Sequence, residues 1–157
     1  MNRLEIIDNN DPLELAWLEA FKQYASVPDD LRDDLLRRIL RTAILRVQEY
    51  ADRALIRCRV RQVCRSDAET GQIRLYLGGG EEISVTYDYG GQEAPYTQKT
   101  ADLLVVSPRG ALVTVEFTTI PAKSWRDQVQ PTVFRYATAI YDGEAVEMLN
   151  SILNEVL

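Results

Sequence analysis

Histidine is absent from this chain of 157 residues. That removes the Ser-His and Cys-His nucleophile arrangements and the commonest zinc ligand. Cysteine is scarce: Cys58 and Cys64 are the two present, both in a segment that reads as strand, where six residues at roughly 3.3 Å each hold them about 20 Å apart. A disulfide needs Cα atoms within about 7 Å, so the pair reads as buried, reduced thiols with no redox or metal role. No apolar run approaches the ~20 residues that span a bilayer. Residues 1–10 also lack the apolar region of a secretory signal, so the chain is expected to stay in the cytoplasm with no membrane partner. Basic side chains are outnumbered, 18 against 24 acidic, for a net charge of −6. Proteins that bind a polyanion displace its counterions with Lys and Arg, so general nucleic-acid affinity is disfavoured. The acidity is concentrated late: residues 1–65 hold 12 basic and 11 acidic side chains, residues 66–157 hold 6 and 13.

What is present suits one domain over residues 1–157. Hydrophobic residues make up 46% and charged residues 27%, and a chain of this size buries about 68–70% of its unfolded surface on folding. After a short apolar stretch, Leu4 to Ile7, Asp11-Pro12 has the form of an N-cap followed by a first-turn proline. Leu13, Ala16, Trp17, Ala20, Phe21 and Tyr24 then recur at helical spacing. A second helix opens at Asp29-Asp30, and its apolar residues run at threes and fours from Leu31 to Leu55. From Ile56 the period becomes two, with Ile56, Cys58 and Val60 alternating with Arg57, Arg59 and Arg61. Ile73, Leu75, Leu77 and then Ile83, Val85, Tyr87, Tyr89 alternate likewise on either side of Gly78-Gly79-Gly80, which predicts a hairpin. Leu103 to Val106, a turn at Ser107 to Gly110, and a partner strand through Val113, Val115 and Phe117 follow. Helical spacing returns after Pro131, read as a first helical residue, and a last helix follows Gly143. No Gly-, Ser- or Pro-rich linker separates these parts. The fold class is α+β: helices about 11–55 and 130–157 form a helical layer, with a small antiparallel region of about five strands, about 56–120, inserted between them.

Several constellations invite a chemical role. Of the second helix's arginines, Arg37, Arg38 and Arg53 stand four residues after Asp33, Asp34 and Glu49, the favourable order for self-paired helix faces. The stripe Arg57, Arg59, Arg61 reads either as an exposed strand face with cross-strand acidic partners or as a patch for an acidic protein surface, since Arg forks onto carboxylates. Asp29, Asp30, Asp33 and Asp34 sit where helix-start acids belong, off the spacing of an EF-hand loop. The triple glycine is followed by Glu81-Glu82 instead of Lys-Ser/Thr, so it is a turn and no phosphate loop. Trp125, in what reads as a polar loop from Ala122 to Gln130, either caps the core or anchors a contact. The last helix is still apolar at Ile152, Leu153, Val156 and Leu157, which predicts that it docks on something. Nothing in the chain calls for a catalytic residue, a cofactor or a metal.

Asp34, Leu35, Ile39, Ala43, Val47, Tyr50, Ala51, Arg53 and Leu55 run through one long helical stretch, with A-x-x-x-V at Ala43–Val47 and Y-x-x-R-x-L at Tyr50–Leu55. Val113, Val115 and Phe117, then Val129, Pro131, Val133, Ala137, Ile140 and Tyr141, follow a strand, a proline-started helix and an aromatic near the helix end. In that order and spacing, over about half the chain, the sequence resembles the tailed-phage head-tail connector, or head-completion adaptor, family. It departs at Thr118-Thr119-Ile120-Pro121, where the family has a glycine-aromatic turn, and at Asp142-Gly143-Glu144, in place of an acid-arginine helix end. Residues 58–98 fall outside the resemblance.

The resemblance implies a non-enzymatic structural protein in a cyclic ring of about twelve copies beneath the portal at the capsid vertex. Its place would be the virion's head-tail junction, reached from the host cytoplasm during assembly. Its partners would be itself, the portal protein and a head-closure or tail-completion protein, with DNA passing through unread. A net-acidic subunit suits such a channel, because many Lys and Arg would retain the genome. Candidate contacts are Arg57, Arg59 and Arg61 for the neighbouring subunit, and Trp125, Ile152, Leu153 and Leu157 for neighbour or portal. Two other classes compete: a binding module whose β region holds a peptide, sugar or other ligand on Tyr76, Tyr87, Tyr89 or Tyr96, and a hydrolase built on converging carboxylates.

Overall fold

Alternating burial along the strand segments, rather than their proximity in sequence, decides how the β part is wired. The computed structural model describes residues 3–87 and 91–157, so Tyr89 lies outside the described residues. Its contacts fall into two units, Met1–Asp11 with Ile56–Ile120, and Pro12–Leu55 with Pro121–Leu157.

The described residues of the first unit form β-strands, with one 3-10 turn at Tyr76–Gly78. Its strands are β1 (Arg3–Asp8), β2 (Arg59–Arg65), β3 (Gln72–Arg74), β4 (Gly80–Tyr87), β5 (Tyr96–Gln98), β6 (Leu103–Val106) and β7 (Leu112–Thr119). One antiparallel sheet has the order β1-β2-β7-β4 and a second the order β3-β6-β5. Strand β7 is central because Val113, Val115, Phe117 and Thr119 are all buried on one face. It pairs with β2 on one side and β4 on the other. Two strands exceed the five that alternation predicts. These are β1 and β5, both edge strands exposed at every residue, which gives neither a buried face to mark it.

Two predicted hairpins do not form. β3 pairs with β6, while β4 pairs with β7 in the other sheet. The glycine run is the passage between the sheets: at Gly79, where φ is +76°, and at Gly80, an added Cβ would lie 1.9 Å from the Ala101 and Thr118 carbonyl oxygens respectively. Only glycine lets the backbones approach that closely. β6 and β7, joined through Ser107–Gly110, also lie in different sheets. The buried Gln62 of β2 bonds to the chain around β3, donating from Nε2 to the Arg74 carbonyl at 2.9 Å and accepting the Tyr76 amide at 3.0 Å.

The second unit is helical: α1 (Leu13–Tyr24), α2 (Asp33–Ala51), α3 (Lys123–Tyr141) and α4 (Val146–Leu153). The helices from both ends of the chain thus pack together in an α+β fold, α2 against α1 and α3, and α3 against α4. Phe134 of α3 is the hub of an aromatic cluster with Trp17, Phe21 and Tyr24 of α1, at centroid distances of 5.8, 5.4 and 5.7 Å. α2 starts at Asp33, after the Asp29-Asp30 pair, and stops before Leu55 because Asp52 turns into the left-handed region at φ 50°. Ala54 and Leu55 are buried outside the helix, with the Leu55 amide donating to Gln48 Oε1 at 2.9 Å. α3 starts eight residues before Pro131, so the proline is inside the helix and the expected loop around Trp125 is helix. Pro131 and Asp127 are both exposed, so the carbonyl that loses its i→i−4 partner is left to water.

Candidate functional site

The strand expected from Ile56 begins at Arg59, so Arg59 and Arg61 lie on β2 of the four-stranded sheet and Arg57 just before it, and all three are met by groups of the same unit. Register sets Arg61 opposite Glu116 on β7 and Glu5 on β1. Its Nε donates to Glu116 Oε1 at 2.9 Å and its Nη1 to Glu5 Oε2 at 3.3 Å. Arg57 Nη2 donates to Glu81 Oε1 at 2.6 Å. The bonds to Glu116 and to Glu81 raise the pKa of Arg61 and Arg57 respectively above the ordinary arginine value. Arg59 Nη1 donates to the Glu82 carbonyl at 2.8 Å and to Thr118 Oγ1 at 3.2 Å.

Beside Arg57 and Arg59 is an open cleft of about 760 Å³, lined by Ile7, Asp8, Asn10, Asp11, Arg57, Cys58, Arg59, Glu82 and Thr118. Two irregularities shape it. The β1–β2 register shifts between Ile6 and Asp8, and the β4–β7 register shifts between Glu81 and Ser84, where Glu82 has φ +53°. Such bulges bend an edge strand. Asp11, which the sequence predicts as the cap of α1, instead accepts the Arg57 amide at 2.8 Å, and α1 starts after Pro12 without a side-chain cap.

In the helical unit, Trp125 sits in the first turn of α3, 7% exposed, with the Arg53 guanidinium 4.6 Å from its ring centroid. That distance is within cation–π range. Its indole Nε1 is buried without an acceptor among the described residues. Ile152 and Leu153 are buried in the same unit, whereas Leu157 is 85% exposed. Of the aromatic candidates for a ligand site, Tyr96 commits its hydroxyl to the Ile83 carbonyl at 3.1 Å.

Lys22 was not singled out by sequence reasoning, although it stands on the apolar face of α1 beside Leu18 and Phe21. It is 5% exposed, and its ammonium lies 2.5 Å from Asp30 Oδ1, 2.9 Å from Asp33 Oδ1 and 4.0 Å from Glu19 Oε1. The bonds to Asp30 and Asp33 raise its pKa. Those three carboxylates are close enough together to hold a metal ion, but the lysine stands among them as the cation. A second cleft, about 520 Å³, lies along α1 and α2 and is lined by Glu14, Leu15, Asp34, Arg37, Arg38 and Arg41. Arg41 donates to Glu14 at 3.1 Å and Arg37 pairs with Asp34. Among the described residues, the Arg38 side chain makes only a 3.4 Å bond to the Asp34 carbonyl.

No protein-family model matches the chain, and no curated protein matches it. Solved structures do share its fold. A chain from the neck of an empty gene transfer agent (GTA) particle, solved with C6 symmetry, superposes with a TM-score of 0.68 at 16% identity, over 98% of this chain and 94% of that one. A chain from the virion of a native gene transfer agent particle superposes with a TM-score of 0.66 at 14% identity, over 97% and 93%. A chain from the neck of the native particle, solved with C12 symmetry, gives 0.58 at 13% identity, over 97% and 94%. The α+β arrangement seen here is therefore a fold also found in the neck of gene transfer agent particles.

Proposed function

We propose that this protein is a structural, non-enzymatic neck subunit of a phage-type particle. It forms a ring of about twelve copies beneath the portal and links the DNA-filled head to the tail. The observation that carries this reading is the superposition on neck chains over 98% of the sequence. The order of helix, strand and proline-bearing helix that resembles the connector family supports it independently. The two units are taken as parts of one domain, since each is assembled from two separated stretches of sequence.

In this reading the protein works by docking. Subunits bury complementary surfaces against one another, and the ring contacts the portal on one side and a head-closure or tail-completion protein on the other. DNA passes through without being read, as the net charge of −6 favours. Of the sequence candidates, the half-exposed Arg57 and the exposed Leu157 offer surface to a partner as they stand. Arg59 and Arg61 would offer theirs by exchanging partners with an incoming carboxylate.

Translating the DNA on both sides of the reading frame tests the function. Neighbouring frames for a portal, a packaging ATPase and a capsid shell are expected. Neighbours that are all metabolic or regulatory would overturn the reading and favour a ligand-binding domain.

A further inference from the structure

We propose that the helical unit carries both halves of a head-to-tail contact between copies of this chain: the acidic segment 142–148 of one copy seats in the arginine-lined cleft along α1 and α2 of the next. This rests on the ring reading above and names the surface that closes the ring.

The cleft holds three arginines against two acids. Two of the arginines are matched by Glu14 and Asp34. The surplus charge is Arg38, exposed and, among the described residues, bonded only to a backbone carbonyl. Leu15, half exposed, supplies an apolar contact in the same cleft.

The segment from Asp142 to Met148 has the opposite character. Asp142, Glu144 and Glu147 are exposed, none enters an ion pair among the described residues, and no Lys or Arg occurs after Arg135. Val146 and Met148 are 66% and 43% exposed, at the start of α4. An unpaired arginine beside an exposed leucine thus has its complement in unpaired carboxylates beside an exposed valine and methionine. Complementary charge of this kind fixes register and partner choice.

The two surfaces are also placed to propagate. On α2, Arg41 reaches Glu14 of α1, and Tyr50 donates to Asn154, just after α4, at 2.5 Å. Nine residues separate Arg41 from Tyr50, which at 3.6 residues per turn is about 180° around the helix. The cleft and the turn after α4 therefore lie on opposite sides of α2, while the acidic segment begins next to Tyr141, which Arg32 contacts beside the start of α2. Two different patches of one chain make a heterologous contact, which gives a ring when the rotation closes.

The test is native mass spectrometry of the full-length chain and two charge-reversed variants, Asp142→Lys/Glu144→Lys/Glu147→Lys and Arg37→Glu/Arg38→Glu. All five positions are on the surface, and circular dichroism checks that the variants keep their helices. Wild type is expected to form closed oligomers that dissociate at high salt. Each variant alone is expected to be monomeric, its self-affinity weakened by about a hundredfold or more. An equimolar mixture is expected to assemble, because the lysine face meets the glutamate cleft and the native acidic face meets the native cleft. Variants that assemble alone as wild type does, or a mixture that stays monomeric, overturn the contact. So does a wild type that remains monomeric at about 1 mM. None of these outcomes touches the ring reading itself, which the flanking genes decide.

Discussion

Arg61 Nε donates to Glu116 Oε1 at 2.9 Å across the β2–β7 pair while its Nη1 reaches Glu5 on β1, so one guanidinium ties three adjacent strands. Strand β1 is an edge with every residue exposed, and it has little apolar burial of its own to hold it. Glu5→Gln, which removes the carboxylate that Arg61 reaches on β1, is therefore expected to loosen β1 before the rest of the sheet. Hydrogen exchange should show β1 amides exchanging faster with β7 unchanged, and the difference from wild type should shrink in 1 M salt, since the pairs are partly exposed. Unchanged β1 protection would show that the backbone ladder alone fixes the edge.

Two buried polar side chains bond where the chain changes direction. The Thr119 hydroxyl accepts the Cys58 amide at 2.8 Å and donates to the Ile56 carbonyl at 2.8 Å, and Gln62 joins β2 to the chain around β3. Replacing either with an apolar residue of similar size strands buried backbone groups. Thr119→Val and Gln62→Leu are each expected to cost about 1–3 kcal/mol in urea unfolding.

Lys22 adds a pH dependence. Its pKa is raised in the folded state by the bonds to Asp30 and Asp33, so the stability it contributes is fully present below the unfolded lysine value of about 10.4 and is lost as pH rises through the higher folded value. Thermal unfolding of wild type should weaken above that pH. Lys22→Met should have a lower melting temperature at neutral pH and lack that alkaline component.

Both cysteines are buried and free, and burial raises the pKa of the Cys64 thiol. Neither should react with a thiol reagent in the native state at pH 8, and both should react once urea unfolds the chain. Rapid native labelling would contradict the burial of both thiols.

Long amphipathic stretches were legible in the sequence, and connections were not. The spacing from Leu36 to Val47 marks α2 because its apolar residues share one buried face. The α+β class followed from where the period changes, at Ile56 and again after Phe117. The hairpins failed because pairing depends on which backbones approach, and the contacts of Gly79 and Gly80 with Ala101 and Thr118 are distant in sequence. β1 and β5 escaped because an exposed edge carries no burial signal. The acidic partners of the arginine stripe were anticipated in kind, but their identities depend on β7 lying beside β2. Lys22 was missed because a lysine on an apolar face has meaning only once Asp30 and Asp33 are brought to it, and the helix around Trp125 was hidden by a proline read as a start.

Electron cryomicroscopy of particles produced from the gene's own locus, with and without this reading frame, tests the central claim most directly. The account predicts a ring of this chain at the junction of head and tail in complete particles, and filled heads separated from finished tails when the frame is deleted. Joined, complete particles assembled without the chain, or its density located anywhere other than the neck, would contradict it.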